Sequence, residues 1–264
     1  MHARDSVCPS LTGRCPGHMF LYTSSHGASL SVCSCAKCGS SALSHALFFM
    51  VMGTRWPHSG APWVHDYAEW NVSNVTDSNA PGSLHIIVHR DPVERYISAY
   101  HSKLKCCEGS TNRPCFQDAG YGGGSPSLHR CLGVGGRVPP CMNMSAYVAA
   151  LATCHARRMQ AEMDVHFRPQ DFACPSYPGQ PTIMVPAGEI ENIFAAARGF
   201  GLHRPNNRTF ATKHGLYAVD GNPEAHTLSG PREEGWPPDL LAQLRKLSKP
   251  EYRYISSYWR RRSL

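Results

Sequence analysis

Two short segments of the chain collect side chains suited to holding anions. The first runs from Ser31 to Leu43 and contains Lys37-Cys38-Gly39-Ser40-Ser41. A lysine supplies a mobile point charge. The glycine lets backbone come close, and the serines add hydroxyl donors and can cap a following helix. The second runs from His85 to Tyr100 and contains Arg90-Asp91-Pro92-Val93-Glu94-Arg95, with Ser98 further along. An arginine fork with a serine hydroxyl makes a sound phosphate clamp. Ser98 is expected on the helix face of Arg95, near Arg90 if the turn is tight. Two such cradles suit a ligand with two separate anionic ends. A group transfer between them would need a base to take a proton, and a histidine between the segments has the right pKa for it. The plainer readings are a capped helix with an exposed lysine and an arginine salt-bridged near a cap.

These residues act together only if strands and helices place them. Each segment reads as strand, tight turn, helix, so helix N-termini add backbone N–H groups and a favourable dipole to both cradles. Strands are predicted at Met19 to Ser24, Leu30 to Ser34, Leu84 to His89 and Thr182 to Val185. The run at Leu84 is compact and apolar, as in a central parallel strand. Ser41 to Met52 reads as a buried helix, since Leu43, Ala46, Leu47, Met50 and Val51 recur at helical spacing. Further helices are predicted over 91–105, 144–163, 188–199, 239–247 and 251–262. Asp91 can be an N-cap with Pro92 at the first helical position, and Glu94 is placed for a capping box. Gly199 and Gly201 read as C-cap signals. Strands alternating with helices argue for an α/β fold with a central parallel sheet flanked by helices on both faces. The chain reads as a single domain, 1–264, with a Cys- and Gly-rich insertion at 106–142 pinned by disulfides. Residues 53–82 and 203–238 read as mostly loop.

The bulk properties narrow the class. The chain has 264 residues, enough to bury a sizeable core, and a net charge of +7. That charge suits an anionic cofactor or an anionic polymer. Nucleic acid is disfavoured, for there is no zinc-finger spacing, no RNP-type aromatic signature and no long basic run. Twelve cysteines and sequons at Asn71, Asn74, Asn143 and Asn207 favour an oxidising, luminal compartment. Cys33-x-Cys35-x-x-Cys38 could be read as a metal site, but no matching ligand pair follows, and the strand–loop–helix context explains it better. The first segment is not G-x-x-x-x-G-K-[ST], which disfavours an ordinary kinase or ATPase. The N-terminus has no apolar signal region and no transmembrane run.

R-D-P-x-E-R-x-x-S-A-Y at 90–100 is similar to the 3′-phosphate-binding motif of Golgi carbohydrate sulfotransferases, the group of the chondroitin, dermatan and HNK-1 enzymes. Ala36 to Ser41 resembles that family's 5′-phosphosulfate loop, with Ala36 where the family has proline. His166-Phe167-Arg168-Pro169-Gln170 through Cys174 resembles its H-W-x-P-Q-x-x-x-C stretch, with Phe167 for tryptophan. Thr182 to Ile193 resembles its next strand and helix, and Tyr252 to Tyr258 its last helix. The resemblance spans roughly residues 30–260 and does not cover the insertion.

The resemblance implies a three-layer, P-loop-like sulfotransferase fold. It implies an enzyme that uses 3′-phosphoadenosine 5′-phosphosulfate (PAPS), releases PAP, and needs no metal. Lys37, Cys38, Gly39, Ser40 and Ser41 would hold the 5′ end, with Arg90 and Ser98 on the 3′-phosphate. Lys37 and His65 would be catalytic, because related enzymes place a catalytic histidine in this interval, and His58 and Glu69 are rivals. His166 is expected to order its loop instead. The implied acceptor is a glycan or another hydroxyl compound, and the implied location the Golgi lumen or secretory pathway, with membrane attachment only through an anchor not seen in this sequence. The rival expectation is an inactive sulfotransferase fold that binds PAP or a sulfated glycan.

Overall fold

The computed structural model describes residues 18–23, 29–54, 83–105, 142–160, 163, 166–174, 181–189, 191–200, 202 and 233–261. Four strands, β1 (His18–Thr23), β2 (Ser29–Ser34), β3 (Leu84–His89) and β4 (Thr182–Pro186), form one sheet in the order β1-β2-β3-β4. β2, β3 and β4 are parallel, but β1 is antiparallel to β2. The sheet is therefore mixed, and the expected parallel sheet holds for three strands only. The reason is chain length: residues 24–28 allow a hairpin, whereas a parallel crossover needs a dozen or more residues.

The helices are α1 (Ser40–Met52), α2 (Pro92–Lys103), α3 (Met144–Ala156), the single turn α4 (Gln170–Ala173), α5 (Glu191–Ala196), α6 (Pro238–Leu247) and α7 (Lys249–Arg261). Strand alternation divides the core. Leu30, Val32, Ile86, Val88 and Val185 face one way, against Leu43, Ala46, Leu47 and Met50 of α1 and Ile193 of α5. Cys33, Ile87 and Met184 face the other way, against Cys174 and against Tyr254 and Ile255 of α7. Both faces of the sheet are thus covered. A separate cluster packs α2, α3 and α6 through Tyr96, Ile97, Tyr147, Leu151, Leu241 and Leu244.

Helix ends follow local chemistry. Gly53, at φ 69°, closes α1 by donating its N–H to the Phe49 carbonyl. Asn143 caps α3 by accepting from Ala146 N–H at 2.8 Å. α3 stops at Ala156, short of the expected 163, because Arg158 turns into the left-handed region at φ 56°. The helix expected over 188–199 is divided: 3₁₀ turns at Ala187–Glu189 and Ala197–Phe200 bracket α5. Met142 bridges Lys105 and donates its N–H to the Leu104 carbonyl at 2.7 Å, so the chain on either side of 106–141 meets at one point. Among the described residues no helix is long and apolar enough to cross a membrane.

Candidate functional site

Parallel pairing brings the two anion segments to the same edge of the sheet. Ser34 pairs with Val88, so the turn after β2 and the turn after β3 leave side by side at the strands' carboxyl ends. That edge is where open α/β sheets receive ligands. In the first turn, Cys38 N–H donates to the Cys35 carbonyl at 3.1 Å. Lys37 sits at φ 66° and Gly39 at φ 78°. Glycine accepts that conformation freely. A lysine there carries on the order of 1 kcal/mol of strain, a feature that clusters at functional sites. Cys35 and Cys38 are joined by a disulfide, with Cα atoms 5.3 Å apart.

Gly39 is the N-cap of α1, and it has no side chain with which to cap. The cap role expected of Ser40 and Ser41 is therefore displaced: both lie inside the helix, in its first turn. The first N–H groups of α1 are left facing the turn that carries Lys37.

The second turn supplies Arg90, whose guanidinium joins the two segments. Its Nη1 donates to the Lys37 carbonyl at 3.3 Å, and its Nε donates to Glu94 at 3.3 Å. Glu94 thus reaches Arg90 instead of completing a capping box. Among the described residues Arg90 Nη2 is buried and has no hydrogen-bond partner. A buried cationic donor left in this state fits an anion. Asp91 caps α2, its Oδ1 accepting from Val93 N–H at 2.9 Å and Glu94 N–H at 3.0 Å, and its Oδ2 accepting from the Tyr252 hydroxyl at 2.6 Å. That acceptor and partial burial push the Tyr252 pKa up, burial being the larger cause.

Arg95 does not join the fork. It is fully buried and donates to Glu251 of α7 at 3.3 Å and to the His166 carbonyl at 3.2 Å. Burial opposes its charge, but Glu251, with Tyr96 and Tyr147, outweighs burial and raises its pKa. Burial first, then Glu251, also pushes the Tyr96 hydroxyl well up. Ser98 is half-buried on α2. It stands one turn after Arg95 on α2, three positions apart being neighbours on one helix face, while Arg95 itself is turned inward against α7. At His166 the backbone carbonyl accepts from Arg95. His65, His58 and Glu69 lie outside the described residues, as do Asn71, Asn74 and Asn207.

Two residues stand in the site without having been assigned a role from sequence. Gln170, on α4, contacts Arg90 on both sides of its backbone. Glu251 accepts from Gln170 N–H at 2.9 Å as well as from Arg95. Ser248-Lys249-Pro250-Glu251 could have drawn attention as an S-x-x-E helix start, but its acid is diverted into the core. A second disulfide, Cys33–Cys174, ties β2 to the end of α4. With Cys33, Cys35 and Cys38 all in disulfides, the metal reading of that cluster has no free thiolates. Among the described residues no group of His, Cys, Asp or Glu could hold a metal ion.

Residues 19–188, well over half of the chain, match the model of a family described as the sulfotransferase family. The chain belongs to the sulfotransferase family. No curated protein and no solved structure matches it. The family match covers both anion turns, α2 and α4 and stops at the 3₁₀ turn after β4. The sulfotransferase region therefore draws one of its buried charges, Glu251, from beyond the matched residues. Membership assigns sulfuryl transfer to a hydroxyl-bearing acceptor in general terms.

Proposed function

We propose that this sulfotransferase-family protein moves the sulfuryl group of PAPS to a hydroxyl, with a carbohydrate as the favoured acceptor. The observation that carries the reading is Arg90. It bonds the Lys37 carbonyl of the first turn while keeping a buried donor unpartnered at the shared sheet edge. PAPS has an anion at each end, and the two turns offer a cation to each. PAPS, when bound, supplies an activated sulfuryl group, which bonds to the acceptor oxygen as its bond to the bridging phosphate oxygen breaks.

Each residue then has a task. Lys37 neutralises charge on the departing phosphate oxygen, and the N-terminal N–H groups of α1 with Ser40 and Ser41 hold that phosphate. Arg90 and Ser98 hold the 3′-phosphate. His65 receives the proton of the acceptor hydroxyl, with His58 and Glu69 as competitors for that role. A carbohydrate acceptor is supported by the motif resemblance at 90–100 and 166–174. A luminal location is supported by the disulfides, which persist in oxidising compartments.

The test is calorimetric titration of PAP, without metal, into the wild type, Lys37→Ala and Arg90→Ala. Charge-assisted hydrogen bonds contribute about 1.5–3 kcal/mol, so each substitution should weaken binding roughly ten- to hundredfold. A folded wild type that binds no PAP sinks the reading. PAP binding without turnover on any hydroxyl acceptor favours the inactive, PAP-binding alternative.

A further inference from the structure

We infer that Gln170 is a positioning residue that fixes the spacing between the two anion turns. The inference rests on the PAPS reading above, which supplies a ligand long enough to feel that spacing.

The ladder of the sheet stops short at the edge that carries the site. β2 ends at Ser34, opposite Val88, and β4 ends at Pro186, opposite His89. Proline has no N–H to offer. Among the described residues, Arg90, one residue past β3, therefore has no strand beside it to take its backbone groups. Buried or part-buried backbone polar groups need partners. The Gln170 carboxamide supplies both. Its Oε1 accepts from Arg90 N–H at 3.0 Å, and its Nε2 donates to the Arg90 carbonyl at 2.9 Å. The amide orientation is fixed by this pair, since the reverse would set donor against donor and acceptor against acceptor. One side chain thus extends the ladder by one residue and blocks rotation of the Arg90 backbone.

The same oxygen reaches the first turn. Gln170 Oε1 lies 3.3 Å from the Cys35 sulfur and 3.5 Å from the Cys38 sulfur. Disulfide sulfurs carry no hydrogen, so these are packing contacts, not hydrogen bonds. They nonetheless seat Gln170 against the ring that brackets Lys37. Gln170 itself is 2% exposed and is anchored from behind, where Glu251 accepts its backbone N–H and holds Arg95. The carboxamide touches both turns and is held by a third element.

A spacing role makes a prediction that a simple packing role does not. A two-ended ligand should feel the loss of Gln170, and a one-ended ligand should not. The dissociation constants of PAP and of adenosine 5′-phosphate, which lacks the 3′-phosphate, are measured by calorimetry for wild type, Gln170→Met, Arg90→Ala and the double variant. Gln170→Glu, which keeps one acceptor oxygen, is carried through the same cycle so that a folding failure of the methionine variant leaves the question answerable. A clamp moved out of reach loses its charge-assisted hydrogen bonds, so a roughly ten- to hundredfold loss is expected for PAP. Adenosine 5′-phosphate should bind each Gln170 variant as it binds wild type. In the Arg90→Ala background the Gln170 change should cost nothing more, since coupled residues are not additive. Equal losses for both ligands, full additivity with Arg90→Ala, or no loss at all overturns the inference and leaves the PAPS reading standing. A wild type that does not bind PAP removes both.

Discussion

Arg90 and Arg95 are five positions apart on one segment and have opposite surroundings. Arg90 keeps an unpartnered buried donor at the sheet edge, and Arg95 is sealed inside with Glu251. From sequence the two look interchangeable, and only the direction in which α2 turns its buried face separates them. Because Arg95 is fully buried, its counter-charge is indispensable. Glu251→Gln should destabilise the fold by about 3–5 kcal/mol, read from urea unfolding, since removing one partner strands a buried charge. Three histidines give a second prediction. His89, His101 and His155 all have lowered pKa values, each chiefly through burial. Glu189 acts against the shift at His89, and Lys105 adds to it at His101. At His155 Glu251 opposes the shift and Arg95 adds to it. In the unfolded chain these groups titrate near 6.5. The unfolded state therefore binds protons first as pH falls, so their stability contribution is full above that value and is lost below it. Melting temperature should fall between about pH 7 and about pH 5. His101 shows how: its Nε2 accepts from the Trp236 indole N–H at 3.4 Å, a contact that protonation removes. A level profile across that interval would refute the assignment.

At the scale of elements, much was legible. β3 falls where its apolar run placed it, and α1, α2 and α6 begin and end within two residues of expectation, because Pro92, Asp91 and the leucine spacing act locally. What was not legible depends on distant partners. Nothing near Gln170 announces that α4 will complete β3's ladder, and nothing near Glu251 announces Arg95, 156 residues away. The antiparallel pairing of β1 is not legible either, because alternation of strand and helix says little about a short first connection. The start of α2 carries its own prediction. Asp91 closes that helix and also ties it to Tyr252 of α7. Asp91→Ala should cost about 1 kcal/mol in chemical unfolding as the cap is lost, whereas Asp91→Asn should retain most of that stability. Equal losses for the two would show that the tie to Tyr252, and not the cap, holds the helix start.

Over the whole molecule, the disulfides govern how rigidly the site is held. Cys33–Cys174 spans 141 residues and pins α4, with Gln170, to β2. By chain-entropy reasoning a cross-link of that length stabilises by on the order of 5 kcal/mol. Cys33→Ala with Cys174→Ala should lower unfolding stability by an amount approaching this and loosen PAP binding. Among the described residues Cys33, Cys35, Cys38, Cys154 and Cys174 are all disulfide-bonded, and Cys154 requires a further partner, so at least half of the twelve cysteines are engaged. A thiol titration of denatured, unreduced protein should therefore find no more than half of them free. Twelve free thiols would contradict both the cross-links and the luminal proposal.

The Arg95–Glu251 pair also sets an order of events during synthesis. The arginine leaves the ribosome 156 residues before its acid. At about 5–20 residues per second, that is a wait on the order of ten seconds. Early in it β1 to β3, both anion turns and α2 have been made; β4 follows, and the carboxylate that lets Arg95 be buried comes after all of them. Until α7 is made, burying Arg95 would strand its charge. A ribosome stalled before residue 251 would display every strand of this sheet and no finished site.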